Sequence, residues 1–388
     1  MSRIEQLIAE LCPDGVEYRT VNDVCKVSRG RVISKDFIRI NHGNYPVYSS
    51  QTANDGILGT INSFDFDGEF LTWTTDGAYA GSVFYRNGKF SITNVCGLLE
   101  VKENALHPRF LLYYLNIVAK KYVSEGMGNP KLMSNAMAKI PIPIPPLPIQ
   151  QEIVRILDTF TDLDAELQAE LEARKKQFNF YKEKQFNYCK DSVEWRPLGE
   201  VGKFQRGKRF VKNDIVSSGI PCIHYGELYT HYKTWTKETK SYIEAGKAEK
   251  LRFAKPGDVI IVTAGETIED IGNCVAWLGD TDVVIHDACF AYSHNFIPKF
   301  VSYYFQTDLF RSQIRRFISS GKISAIHASG LSKATIPIPP LAEQERIASI
   351  LDKFEALVNE ELPAEIAARR KQYEYYREKL LTFKRLVS

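Results

Sequence analysis

Two short basic frames offer the first chemistry. Arg29-Gly30-Arg31 with Lys35, and Arg206-Gly207-Lys208-Arg209 with Lys212, each place cationic side chains around a glycine. Glycine lets backbone N–H groups approach a phosphate while the flanking cation neutralises it. A solvated turn would use the same residues, but the recurrence of Arg-Gly in both halves favours a phosphate contact. Base edges are read by Asn, Gln, Arg and Lys on loops that reach a groove. Ser50, Gln51 and Asn54 follow a strand-like run in the first half. In the second, Tyr225, Lys233 and Trp235 interleave aromatic and polar groups. Thr75 and Thr267 sit at two loop tips that read as equivalent, and Lys131 and Lys322 precede two proline-rich runs.

Signatures of catalysis are missing from the sequence. GKIS at 321–324 and GKFS at 88–91 lack the remainder of a phosphate-binding P-loop, and no GxGxxG follows a strand. GAYAG at 77–81 reads as a tight turn. No NPPF-like or DPPY tetrapeptide of an amino-methyltransferase occurs. Pro13-Asp14…Glu17-Tyr18-Arg19 holds its acids too close together for a nuclease metal site spread over two strands. The histidines form no HExxH, and His286, Cys289 and His294 read as core or surface residues rather than metal ligands. The prediction is a binding chain with no catalytic residue, metal or cofactor of its own.

The elements that must position these residues are written twice. PIPIPPLPIQQEIVRILDTF at 141–160 returns as TIPIPPLAEQERIASILDKF at 335–354, and ARKKQFNFYKEK at 173–184 returns as ARRKQYEYYREK at 368–379. Upstream, Cys12…VEYR…Arg29-Gly30 returns as Cys189…VEWR…Arg206-Gly207. Segment 2–11 therefore corresponds to the end of the helix before Cys189, so the repeat is cyclic and the termini should lie close together. Residues 31–135 and 208–330 share little, which suggests one scaffold holding two different readers.

Apolar residues at 149, 153, 156, 157, 160, 163, 167 and 171 form a helical stripe, and a second stripe runs from 347 to 383 with Pro363 inside it. Each helix should extend about 60 Å at roughly 1.5 Å per residue. Matching stripes predict antiparallel pairing, with a kink or fresh start at Pro363. The proline runs read as stiff extended struts. The globular parts read as α+β, with strands near 46–50, 69–74, 83–85, 259–263, 274–278 and 283–285 and helices at 108–122 and 298–317. The predicted organisation is an N-terminal helix 1–11, globular segments 12–146 and 189–340, a central helix 147–188 and a C-terminal helix 341–388.

The chain has 388 residues, 44% hydrophobic and 25% charged, with a formal net charge of +3. That excludes a polycationic tail binder. The basic excess falls in the globular segments and not on the helices, as expected if the former touch phosphates. No window is apolar enough for a transmembrane helix, and the N-terminus has no signal-peptide core. Seven scattered cysteines without a CxxC fit a reduced, cytoplasmic protein.

Together, the two IPIPPL-x2-Q-x2-I-x2-IL-D-x-F segments, the ARKKQFNFY and ARRKQYEYYREKL helix ends, the VEYR/VEWR starts and the cyclic duplication resemble the specificity subunit of type I restriction–modification enzymes, over essentially the whole chain. The helix ends resemble its C-type subfamily. The resemblance implies two target-recognition domains, each reading one half of a split asymmetric site in double-stranded DNA. It implies paired helices that set the spacer and dock two modification methyltransferase subunits, with restriction translocase/endonuclease subunits joining them. S-adenosylmethionine, ATP and magnesium would then sit on those partners, and no membrane would be involved. A coiled-coil scaffold that binds only protein is the alternative reading.

Overall fold

Proline fixes φ and cannot donate to a ladder, so the two proline-rich runs must lie extended with at most one strand neighbour. In the computed structural model each gains one. Pro141–Ile144 pairs antiparallel with Glu17–Thr20, setting Arg19 opposite Ile142. Thr335–Pro337 pairs antiparallel with Trp195–Pro197, setting Arg196 opposite Ile336. The VEYR and VEWR frames and the proline runs are thus the two edges of one ribbon, made twice. Ile142 and Ile336 are fully buried beneath these ribbons.

The structure describes residues 3–102, 106–124 and 128–386, with side chains omitted over 188–192. Cys189 in the second frame falls outside the described side chains. The chain divides into two units, residues 1–167 with 365–388, and residues 168–364.

In the first unit a six-stranded sheet runs in the order Cys25–Arg29, Cys96–Val101, Phe66–Thr74, Val83–Ile92, His42–Tyr48, Ile57–Ile61. Its pairings are antiparallel except where Val47 meets Ser91 in parallel. Helix Pro108–Val118 buries Phe110, Leu111 and Leu115 in a core shared with Leu71, Trp73 and Val83. It stops at Val118 and tightens into a 3-10 turn, Ala119–Tyr122, within the predicted span 108–122. Ile149, Ile153 and Leu157 of the central helix join the same core, with Leu380 and Leu381 of the C-terminal helix. Phe160 stacks on Tyr376 at 5.7 Å and meets Tyr373 at 6.1 Å, and Asp164 pairs with Arg370 at 2.7 Å, so the two helices pass antiparallel here. The N-terminal helix Arg3–Leu11 buries Ile4 in that core. Val16 N–H donates to the Lys384 carbonyl at 2.9 Å, which brings the two ends of the chain together.

The second unit has two five-stranded sheets. One runs Gly202–Arg206, Cys289–His294, Val259–Val262, Cys274–Trp277, Trp235–Thr236; the other Ile215–Val216, Ser241–Ile243, Ile220–Ile223, Val283–Ile285, Phe253–Ala254. The span 298–317 breaks into Pro298–Phe305 and Asp308–Arg315, because Thr307 turns its hydroxyl back to accept from Phe310 N–H at 3.2 Å and caps a new helix. Tyr181 stacks on Phe354 at 5.4 Å and Arg346 donates to Gln185 at 3.3 Å, so helices run antiparallel in this unit as well. The central helix is continuous over Leu147–Ser192. Pro363 is the second residue of a fresh α-helical stretch, as expected, and the helical backbone does not break there. A π-helical turn, Leu357–Glu361, separates Leu341–Ala356 from Leu362–Leu381. Widening the turn before a proline relieves the clash between its ring and the carbonyl four residues back.

Two further details recur in both units. Gln150 and Gln344, the glutamines of the repeated motif, are buried in the first turn of their helices. Gln150 donates to the Pro145 carbonyl at 2.7 Å and accepts from His107 N–H at 2.8 Å. Gln344 donates to the Pro339 carbonyl at 2.8 Å and accepts from Ile297 N–H at 2.9 Å. Each glutamine ties the ribbon exit to the start of the sheet-packing helix. About two helical turns beyond, Asp158 accepts from Tyr113 at 2.6 Å and pairs with Arg109 at 2.9 Å, while Asp352 accepts from Tyr303 at 2.8 Å and pairs with Lys299 at 2.6 Å.

One buried group makes the second unit sensitive to acid. Nε2 of His294 is out of reach of solvent and unpaired, and Nδ1 accepts from Phe296 N–H at 3.2 Å. Burial holds this imidazole at about 4, against an ordinary 6.5. Between those values the unfolded chain binds the proton and the folded one does not, so stability falls as pH drops from 6.5 towards 4. The full gap is worth about 3 kcal/mol at roughly 1.4 kcal/mol per pH unit. Comparing denaturation midpoints of wild type and His294→Phe at pH 7 and pH 4.5 checks this. The wild type should lose more stability on acidification than the variant; equal losses would contradict it.

Candidate nucleic-acid interface

At both Arg-Gly frames the backbone leaves no room for a side chain. A Cβ on Gly30 would lie 2.1 Å from the Ile92 carbonyl oxygen, and one on Gly207 2.1 Å from that of His286. Gly30 N–H donates to the Cys96 carbonyl at 3.2 Å and Gly207 N–H to the Cys289 carbonyl at 3.0 Å. The expectation that these N–H groups face a phosphate is therefore corrected: both are spent inside the fold, and the glycines are required by close strand approach. What the frames offer outward is their cations.

In the second unit those cations open onto a cleft of about 950 Å³. Arg206, Arg209, Lys212, Tyr225 and Lys322, five of the residues picked from sequence, line it together. The strand end at Arg206 delivers the first two, a 3-10 turn Lys212–Asp214 the third, and the segment running into Ser324–Ala325 the last. Ser324–Ala325 pairs with Ala264–Gly265 and fixes the cleft's far wall. Arg206 is partly neutralised, donating to the Asp287 carbonyl at 2.9 Å with the Asp287 carboxylate 3.9 Å away. Arg209, Lys212 and Lys322 have no ion pair among the described residues.

Residues outside the set of predicted site residues complete the wall. His224, His286 and Phe210 pack in one aromatic group with Tyr225, with ring centroids 4.5 to 5.8 Å apart. Burial, reinforced by Lys212, keeps the His224 imidazole below its ordinary range, and burial does the same at His286 against the pull of Asp287. His224 Nδ1 accepts from Gly226 N–H at 3.2 Å, so the neutral ring carries its proton on Nε2. Val211 and Ile323, 45% and 62% exposed, flank the opening. His224 lies in the aromatic and polar stretch that the sequence already marks, whereas His286 reads as core or surface until its tertiary neighbours are known.

In the first unit Arg29, Thr75 and Lys131 converge on Asp76. Arg29 donates to the Thr75 hydroxyl at 3.0 Å, Thr75 donates to Asp76 at 2.6 Å, and Arg29 and Lys131 lie 3.7 and 3.8 Å from that carboxylate. Thr75 is fully buried, so it positions its neighbours and cannot reach a base. Arg31 is bound to Asp65 at 2.9 Å, whereas Lys35, in the first turn of helix Lys35–Ile40, has no ion pair among the described residues. The 50–56 loop is closed from within. Gln51 donates to the Ile57 carbonyl, and the buried Arg86 grips Asp55 at 2.6 Å while lying over the Tyr48 ring at 3.7 Å. Asn54 is exposed in a left-handed conformation, φ 52°, and Ser50 is half-buried beside it.

Three residues stand apart from the cleft. Lys233 donates to the Asn359 carbonyl at 3.4 Å and Trp235 to Asp352 at 3.2 Å with Lys299 over its ring, so both fasten the sheet to the C-terminal helix. Thr267 is exposed in a turn closed by Asp270. Its expected equivalence with Thr75 is corrected. Thr75 N–H donates to Val95 and its carbonyl accepts from Leu132; Thr263 does the same with Ala288 and Ile326. Thr263 is the counterpart, and Thr267 belongs to extra residues in the longer loop. Lys208 is exposed next to the cleft without lining it.

With this geometry in view, the family described as the type I restriction modification DNA specificity domain matches the chain twice, over residues 13–173 and 190–368. The chain belongs to that family. Within the type I specificity family, a Mycoplasma pneumoniae protein provisionally named type I specificity subunit S.MpnORF507P is 33% identical over 366 residues, covering 93% of this chain and 96% of that one. The type I restriction enzyme MpnII specificity subunit of the same organism is 47% identical over 175 residues, 44% of this chain and 53% of its own length. The fold is shared with solved specificity subunits. The S subunit from M. genitalium matches with TM-score 0.54 at 13% identity over 95% of this chain and 96% of that one, and the HsdS subunit from Thermoanaerobacter tengcongensis with TM-score 0.56 at 15% identity over 96% and 97%. A chain from a study of type I restriction–modification complex assembly matches with TM-score 0.60 at 16% identity over 96% and 98%. Both copies of the ribbon and the glutamine tie lie inside the matched spans. No helix among the described residues is long and apolar enough to cross a membrane, and no group of metal-ligating side chains occurs among them.

Proposed function

We propose that this chain is the DNA-reading subunit of a type I restriction–modification complex. Residues 12–146 and 189–340 act as two recognition domains, each reading one half of a bipartite site in double-stranded DNA. The helices at 147–188 and 341–388 set the unread spacer and dock two modification methyltransferase subunits, to which restriction subunits are added. Methyl transfer and cleavage belong to those partners, with their S-adenosylmethionine, ATP and magnesium. One observation carries the reading: the same ribbon, glutamine tie and Asp–Tyr–cation group hold unlike sheets in the two units, so the frame is common and the reading surfaces differ. Within those surfaces, Arg209, Lys212, Lys322 and Lys35 would meet phosphates, with Tyr225, Gln51 and Asn54 nearer the bases.

Co-expression with a modification subunit and genome-wide mapping of methylated adenines tests this. The expected motif has two unlike halves around a fixed gap. The central helix contains a short internal echo, Leu163-Asp-Ala-Glu-Leu167-Gln-Ala-Glu-Leu171. Inserting one more four-residue unit adds about 6 Å of helix and turns it roughly 40° beyond one turn. At about 3.4 Å per base pair the gap should lengthen by one or two pairs with both halves unchanged. A single contiguous motif, or altered halves after the insertion, would sink the proposal.

A further inference from the structure

Lys182 is a largely buried cation that forms no salt bridge among the described residues. It lies on the central helix within the second unit and is 8% exposed. Its ammonium has no carboxylate within salt-bridge distance among the described residues, and its one ring contact is with Phe178 at 5.3 Å. Burial lowers its pKa, against the pull of Glu183 and Glu355. It lines a cavity of about 440 Å³ that shares no residue with the basic cleft described above. Glu355 lines the same cavity, but its oxygens are taken by the Thr234 hydroxyl at 2.7 Å and the Tyr303 hydroxyl at 3.0 Å. Arg311 faces it too, held by the Glu269 carbonyl at 3.1 Å and the Asn273 side chain at 2.9 Å, both neutral acceptors.

The duplicated sequence supplies an internal comparison. The counterpart of Lys182 is Arg377, which stands over Tyr373 at 5.3 Å as Lys182 stands over Phe178 at the same four-residue spacing. In that groove Asp164 and Glu374 supply negative charge beside the arginines. The repeat keeps a cation at this position, and in the second unit Glu355 is the one acid lining the cavity, set against Lys175, Lys182, Lys233 and Arg311. Four cations against one carboxylate give the cavity a positive potential, and a concave site lined by one sign of charge draws a counter-ion.

We propose that this cavity binds a small oxyanion of the phosphate class through Lys182 and Arg311, either inorganic phosphate or the phosphate of a mononucleotide. The full-length chain is titrated into inorganic phosphate, and separately into adenosine monophosphate, with the 31P line width followed at ionic strength matched by chloride. Saturable broadening is expected. Tighter binding of the nucleotide would identify it as the source, and equal or tighter binding of phosphate the free anion. Lys182→Met should weaken binding at least tenfold, Lys182→Arg should restore it, and an Arg209→Ala/Lys212→Ala/Lys322→Ala variant should keep it. Without phosphate, Lys182→Met should still melt cooperatively, which shows that the variant is folded. Absence of broadening beyond the chloride control, or equal broadening with folded Lys182→Met, overturns the proposal.

Discussion

Gly207→Ala should destabilise the second unit by at least about 3 kcal/mol, the upper range for overpacking, because the obstructing atoms are backbone and cannot rotate away. A Cβ there would stand 2.1 Å from one carbonyl oxygen and 2.5 Å from another. For a unit of this size that lowers the melting temperature by roughly 6–12 °C. Gly30→Ala should behave alike in the first unit, where the corresponding distances are also 2.1 and 2.5 Å. Gly88 is the control: its φ is +92° but open space surrounds it, so Gly88→Ala should cost only about 1 kcal/mol of backbone strain. Thermal denaturation distinguishes the two roles a glycine could have. If Gly207→Ala melted like wild type and instead weakened DNA binding, the glycine would be a phosphate contact after all.

Removing Arg209, Lys212 and Lys322 together should have the largest effect on DNA. These three cations line one cleft and form no ion pair among the described residues. If each neutralises one phosphate, the triple alanine variant should flatten the dependence of log affinity on log salt by about 2.7, at roughly 0.9 per contact. Affinity of the assembled complex at low salt should fall on the order of a hundredfold, from charge-assisted contacts worth about 1 kcal/mol each net. Phosphate contacts position a protein and do not specify bases, so the methylated motif should stay the same while its occupancy drops. A full salt slope in the variant would refute the assignment. A changed half-site would show that these residues read bases.

The sequence made some of this plain and hid the rest for identifiable reasons. The helices were legible because an apolar stripe of period 3.6 survives over many turns, and their antiparallel contact is seen at Phe160 with Tyr376 and at Tyr181 with Phe354. The proline runs were legible as extended but not as paired, since nothing in a strand's composition names its partner. Gln150 and Gln344 were visible as a match, yet a glutamine in the first turn of a helix reads as surface until the carbonyl and N–H it joins are known. The sheets of the second unit were mostly hidden, because strands of two to four residues such as Ile215–Val216 and Phe253–Ala254 are too short to show alternation. At the candidate interface, charge was readable and occupancy was not. Arg31 and Arg209 look alike in sequence, but Asp65 claims the first and no acid among the described residues claims the second. Trp235 and Lys233 have the composition of a nucleic-acid contact and serve instead as fasteners.

The ribbon has a consequence for how such chains can diversify. Its strands Glu17–Thr20 and Pro141–Ile144 bracket everything between them, and Trp195–Pro197 with Thr335–Pro337 does the same further along. Whatever lies inside enters and leaves through adjacent residues, like the neck of a bag. Recombination at these short duplicated stretches can therefore replace the contents, whatever their length, provided the newcomer keeps the groups that meet Gln150 and Asp158, or Gln344 and Asp352, outside.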